Sequence, residues 1–137
     1  MQTALDITKA LADGNRMRII LALFDHKELC VCQITELLQI SMATVSRHMS
    51  ILHKARLVQS RKDGRWVHYR LAQTFPKPLG DWLKKAVLDS TEIKADQLRL
   101  AEILFTDTVD LCLSQKQRKW KTEGKTNGTE QQGADNG

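Results

Sequence analysis

The stretch SMATVSRHMSILHKARLVQSRKDGRWVHYRL, residues 41–71, changes its apolar period halfway along, and that change decides the fold. Through about Ala55 the period is helical: Val45, Met49 and Leu52 share one side at about 100° per residue, and Ala43, Ser46, Arg47 and Ser50 share the other. Ser41 stands where a helix cap belongs. From residue 57 the period is two. Val67, Tyr69 and Leu71 alternate with Trp66, His68 and Arg70, as in a half-buried strand, and Asp63-Gly64 signals a hairpin turn.

Working back, residues 31–39 predict a short helix with Val31, Ile34, Leu37 and Leu38 inward. Ala4 to Phe24 reads as two helices broken at Asp13-Gly14-Asn15, with Gly14 ending the first and Asn15 capping the second. Leu5, Ile7, Leu11, Met17, Ile20, Leu21 and Phe24 form their inward faces. Two helices with a short turn, followed by a β-hairpin, predict a mainly α fold with a small hairpin, a winged helix-turn-helix.

Downstream, Pro76 and Pro78 open an amphipathic helix carrying Leu79, Trp82, Leu83, Ala86 and Val87. A further helix is expected from about Thr91 to Ser114, with Leu98, Ala101, Leu104 and Phe105 among its apolar positions. So many apolar faces on so short a chain mark the first and last helices as a dimer interface. Residues 1–115 therefore read as one DNA-binding and dimerisation domain, and 116–137 as a disordered polar tail.

The charge is unevenly placed. The 137 residues carry a net +5, but Thr44 to Arg70 alone holds seven basic residues and one acidic, a local +6 that points to a polyanion partner. The outward helix side is small and polar with one arginine, which suits a major groove, where arginine bonds guanine O6 and N7 together. Arg61, Lys62 and Arg65 surround the hairpin turn and suit phosphates or a minor groove. Ser41 and Thr44 reach phosphate or base edges from the helix start, and His48 flanks that face. Double-stranded DNA is the expected partner. No apolar run is long enough for a membrane span and no signal peptide is evident, so a cytoplasmic location is expected.

Residues 28–34, ELCVCQI, hold two of the three cysteines. In a reducing compartment this spacing suggests ligand binding or reactivity, because a disulfide between positions i and i+2 is sterically poor. The bland reading of Cys30 and Cys32 is two small buried apolar fillers.

ELCVCQI, followed by SMATVSRHMSILHKARLVQSRKDGRWVHYRL and preceded by KALADGNRMRIILAL, resembles the ArsR/SmtB family in its arsenic-responsive form. The resemblance spans about residues 5–72. It implies a homodimeric winged helix-turn-helix repressor, dimerised through first and last helices, that binds an inverted repeat and leaves it when an effector binds. The family's reading positions match Ser41, Thr44, Ser46, Arg47 and His48, and its wing matches Arg61 to Arg65. As(III) or Sb(III) is the inducer the resemblance implies, held by Cys30 and Cys32, and no catalytic cofactor is implied. The family motif continues with an acidic residue and a third cysteine, where this chain has Gln33 and Thr35. The third donor is then either a solvent or small-thiol ligand, or Cys112.

On a regular helix Cys30 and Cys32 lie about 200° apart, so one ion shared by both distorts the turn that carries them. A rival reading keeps the DNA reader and makes it a redox or persulfide sensor, linking Cys30 or Cys32 to Cys112. An enzyme is not expected: the sequence offers no CxxC, phosphate-cradling glycine loop or Cys–His–acid arrangement.

Overall fold

The computed structural model describes residues 1–118. The elements in order are α1 (Gln2–Leu11), α2 (Gly14–Asp25), β1 (Leu29–Cys30), α3 (Val31–Leu38), α4 (Met42–Lys54), β2 (Val58–Asp63), β3 (Trp66–Leu71), α5 (Lys77–Ala86) and α6 (Thr91–Phe105). A last helical stretch occupies 108–118. The strands form one antiparallel sheet in the order β1-β3-β2. This is the expected winged helix-turn-helix, with α3 and α4 the helix pair and β2–β3 the wing.

One core joins these parts. Ile19 and Ile20 of α2, Ile34 and Leu37 of α3, Val45, Met49 and Leu52 of α4, and Leu29 of β1 are fully or almost fully buried. At about 1.5–3 kcal/mol for each fully buried large side chain, this cluster fixes the angle between α3 and α4. Arg18 adds a polar tie, its Nε and Nη2 each donating to the Asp96 carboxylate at 2.8 Å.

Several details differ from the sequence reading. The first corner turns on Asp13, not Asn15: the Asp13 carboxylate accepts the Arg16 N–H at 3.1 Å, and Gly14 is already helical. A full negative charge suits a helix N-terminus better than a neutral amide. That backbone bond holds the Asp13 carboxyl below its usual value. Its stabilising effect is present above the ordinary carboxylate range and is lost as pH falls through the depressed value. Asp13→Ala is expected to cost about 1 kcal/mol, read from urea unfolding at neutral pH; an unchanged midpoint would show the cap to be idle.

Leu5 faces solvent at 43% exposure instead of turning inward. The hairpin loop is Gly64-Arg65, one residue later than the Asp63-Gly64 pair implied. Gly64 takes φ +61° at the first central position, where a two-residue hairpin favours glycine. Two-residue β1 is too short to leave a periodic signal.

The expected single helix from 91 to 114 is broken. Thr106 is extended (φ −85°, ψ 136°), and the Asp107 carboxylate accepts the Val109 N–H at 2.7 Å, starting a new helix. That helix continues through residue 118, so 116–118, read as tail, are helical. The rest of the expected tail, 119–137, lies outside the described residues. Among the described residues no helix is long and apolar enough to cross a membrane.

Candidate nucleic-acid interface and thiol corner

The α4 helix separates by face as its spacing predicts. Ala43, Ser46, Arg47 and Ser50 are exposed, while Val45, Met49 and Leu52 are buried. Ser41 caps the helix through its Oγ, which accepts the Thr44 N–H at 3.1 Å and lies 2.7 Å from the Thr44 hydroxyl. Both hydroxyls therefore sit at the exposed helix start, fixed by one another. Arg47 stands one turn further on, with nothing large beside it.

His48 is placed differently. It is 9% exposed and its Nδ1 accepts from Arg16 Nη1 at 3.3 Å. Arg16 also donates through Nε to the Ala10 carbonyl at 2.6 Å, so it ties the end of α1 to α4. His48 thus braces the presumed reading helix from behind instead of flanking its outward face. The reason is angular: position 48 falls next to Met49 on the packed side.

The wing carries its cations at the tip. Lys62 and Arg65 are exposed, and no ion pair involves either among the described residues. Arg61 is engaged: its Nη2 and Nε donate to the two Glu28 carboxylate oxygens at 2.5 and 3.2 Å. The Arg61 guanidinium holds the Glu28 carboxyl below its ordinary value.

The cysteines form a corner where β1 meets α3. Cys30 ends β1 in extended backbone (φ −74°, ψ 150°) and is the N-cap of α3; Cys32 lies in the first helical turn. The two were expected on one regular helix, on opposite sides. Instead the chain changes from strand to helix between them, and both are buried, at 2% and 1% exposure. Gln33 completes this start, its side-chain oxygen accepting the Cys30 N–H at 2.8 Å. Thr35, standing where the family motif has cysteine, donates its hydroxyl to the Val31 carbonyl at 2.8 Å.

Cys112 comes to this corner from the last helix. It is disulfide-bonded to Cys32, with Cα atoms 5.9 Å apart, within the ordinary span for such a bridge. The helix is docked on both sides of that bridge. Leu111 is buried, Gln115 Nε2 donates to the Cys32 carbonyl at 2.8 Å and to Glu36 at 3.2 Å, and Arg118 pairs with Glu36. At the far end of α3, Arg99 donates to the Leu37 carbonyl at 3.1 Å. So α3, the helix just before α4, is held at both ends by the C-terminal part of the chain. Cys30 remains a free, buried thiol. Among the described residues, no three His, Cys, Asp or Glu side chains are already gathered as a metal site.

Residue reading missed Arg16, Glu28, Glu36 and Gln115. Each acts across a long sequence separation or through a neutral amide, and only a fold brings such pairs together.

An exposed small-residue helix face backed by a rigid core, beside a cationic hairpin, defines a winged-helix transcriptional regulator and not an enzyme. The sequence profile described as "Bacterial regulatory protein, arsR family" matches residues 13–60. The arsenic resistance transcriptional regulator ArsR1 of Pseudomonas putida is 38% identical over 99 residues, 71% of this chain and 77% of that protein. The arsenical resistance operon repressor of Escherichia coli is 34% identical over 95 residues, 69% of this chain and 78% of that one. Among solved structures, the homodimeric winged helix-turn-helix DNA-binding domain Mb0332 of Mycobacterium bovis, a possible ArsR-family regulator, superimposes with TM-score 0.53 at 25% identity, over 66% of this chain and 81% of that one. The chain belongs to the ArsR family and is a transcriptional repressor of the ArsR/SmtB type.

Proposed function

We propose that this repressor binds an inverted-repeat operator as a homodimer and is released when As(III) or Sb(III) is captured by Cys30, Cys32 and Cys112. The observation that carries the reading is the meeting of Cys32 and Cys112 from two separate helices, with a third thiol at the same α3 start. The donor set fits: three thiols and no imidazole suit a soft trivalent centre. The relatives whose names specify arsenic resistance support the same effector class. Arsenite exchanges its three hydroxyls for three thiolates, and the thiol protons leave with those hydroxyls as water.

Release follows from where the thiols sit. Cys30 ends a strand while Cys32 starts a helix, so drawing both toward Cys112 reshapes the junction that sets the pose of α3. The pose of α3 governs α4, and hence the spacing of two α4 helices on two half-sites. Ser41, Ala43, Thr44, Ser46 and Arg47 form the groove-facing set, with Lys62 and Arg65 on the flanking backbone. Support for a dimer comes from apolar side chains left in solvent on the terminal helices. Leu98 and Phe105 of α6 are 74% and 94% exposed, and Leu5 of α1 joins them.

One observation favours a second reading. The Cys32–Cys112 bridge is itself the product of removing two thiol hydrogens, which a two-electron oxidant such as hydrogen peroxide does while becoming water. The two readings part on Cys112→Ser in excess reductant. Three-thiol capture predicts arsenite affinity at least about tenfold weaker in the variant, followed as sulfur–arsenic absorbance with the DNA-free protein. Wild-type protein with no arsenite absorbance, but with operator affinity that changes on peroxide treatment, would favour the oxidative reading instead.

A further inference from the structure

Cys30, His68 and Arg61 are consecutive cross-strand neighbours, Cys30 opposite His68 and His68 opposite Arg61. Glu28, two residues before Cys30, projects from the same side of the sheet. Its carboxylate passes over the central strand: both oxygens accept from Arg61, and His68 Nδ1 lies 3.7 Å away. A two-point bond between a carboxylate and a guanidinium fixes orientation as well as distance. The strand that ends in a sensing thiol is therefore linked to the outer strand of the wing by a side chain reaching across the strand between them.

We propose that Glu28 is a positioning residue for operator release: with Arg61 it forms a strut that carries movement of Cys30 into the wing. The inference rests on Cys30 being an effector ligand, as proposed above. Cys30 is at once the last residue of β1 and the cap of α3, so a pull on its sulfur acts on β1, and Glu28 delivers that pull to β2. An exposed ion pair contributes little to stability, so its value here lies in direction. The strut also changes the role of Arg61. With its charge matched by Glu28, Arg61 is an internal tie, and phosphate contact at the wing falls to Lys62 and Arg65.

Operator binding measured by fluorescence anisotropy across a salt series, with and without arsenite, tests this. Glu28→Gln keeps the shape and removes the charge. Its ligand-free salt slope is expected to stay at the wild-type value, while the arsenite-driven loss of operator affinity falls from about 100-fold to about tenfold or less. Arsenite affinity of the DNA-free variant should stay within about twofold of wild type. Arg61→Ala and the double variant should match it, because the two residues act as one unit. Lys62→Ala should instead flatten the slope by about 0.9 and keep the arsenite response. Full release in Glu28→Gln, or a slope in Arg61→Ala as flat as in Lys62→Ala, overturns the strut. Should arsenite leave the wild-type complex intact, the effector reading is what fails. The slopes then decide the strut alone: an unchanged slope in Arg61→Ala supports it, and a flattened one removes it.

Discussion

Cys32→Ser is expected to bind operator like the wild type and to lose its release by arsenite completely. Cys32 is the hinge of the thiol corner, sharing the α3 start with Cys30 and touching Cys112 across the helix interface. Removing its sulfur leaves two thiols on elements that no longer have a common ligand. A wild-type release of about 100-fold corresponds to about 2.7 kcal/mol of coupling, and all of it should vanish. The position is almost fully buried, so a serine hydroxyl there risks being unsatisfied. Cys32→Ala makes the same prediction without that polar cost. If both variants still left the operator at wild-type arsenite concentrations, Cys32 would be packing and nothing more.

Arg47→Ala is expected to relax base discrimination by about 1–3 kcal/mol with little effect on non-specific binding. Arg47 is the only long cationic side chain on the outward face of α4, flanked by Ala43, Ser46 and Ser50, all too short to hold the groove floor away. The measurement is the ratio of dissociation constants for an operator selected from a randomised duplex pool and for its scrambled counterpart. Equal weakening on both duplexes would make Arg47 a phosphate contact.

Much of this architecture was legible in the sequence because it rests on periodicity. The inward residues of α4, the shift to period two after Leu57 and the cationic hairpin tip each follow from a local pattern, and the structure repeats them. Features that depend on contact were not legible. Leu5 sits at a helical apolar position yet faces solvent, since spacing identifies a face without saying what covers it. The break at Thr106-Asp107 was masked by apolar residues on both sides, although Asp107 is a good cap and was the signal to heed. His48 turns inward because Arg16, 32 residues earlier, waits there to donate to it.

The thiol corner was half legible. The ELCVC stretch identified Cys30 and Cys32, and the loss of the family's third cysteine at Thr35 raised the question that Cys112 answers in space. What residues alone could not supply was the strand-to-helix change between Cys30 and Cys32. It replaces a pair held on opposite sides of one helix by a junction with different partners on each side: His68 across the sheet for Cys30, and Cys112 across a helix interface for Cys32. A junction of that kind is a better lever than a bent helix, because moving it disturbs two elements at once.

The most direct measurement is an arsenite titration of the operator-bound protein in excess reductant, followed by fluorescence anisotropy of the labelled duplex. Thiol capture predicts release that saturates near one arsenite per site and reverses when a competing dithiol removes the metalloid. Anisotropy that stays at its bound value through a large excess of arsenite, and falls only when the reductant is replaced by an oxidant, would contradict it.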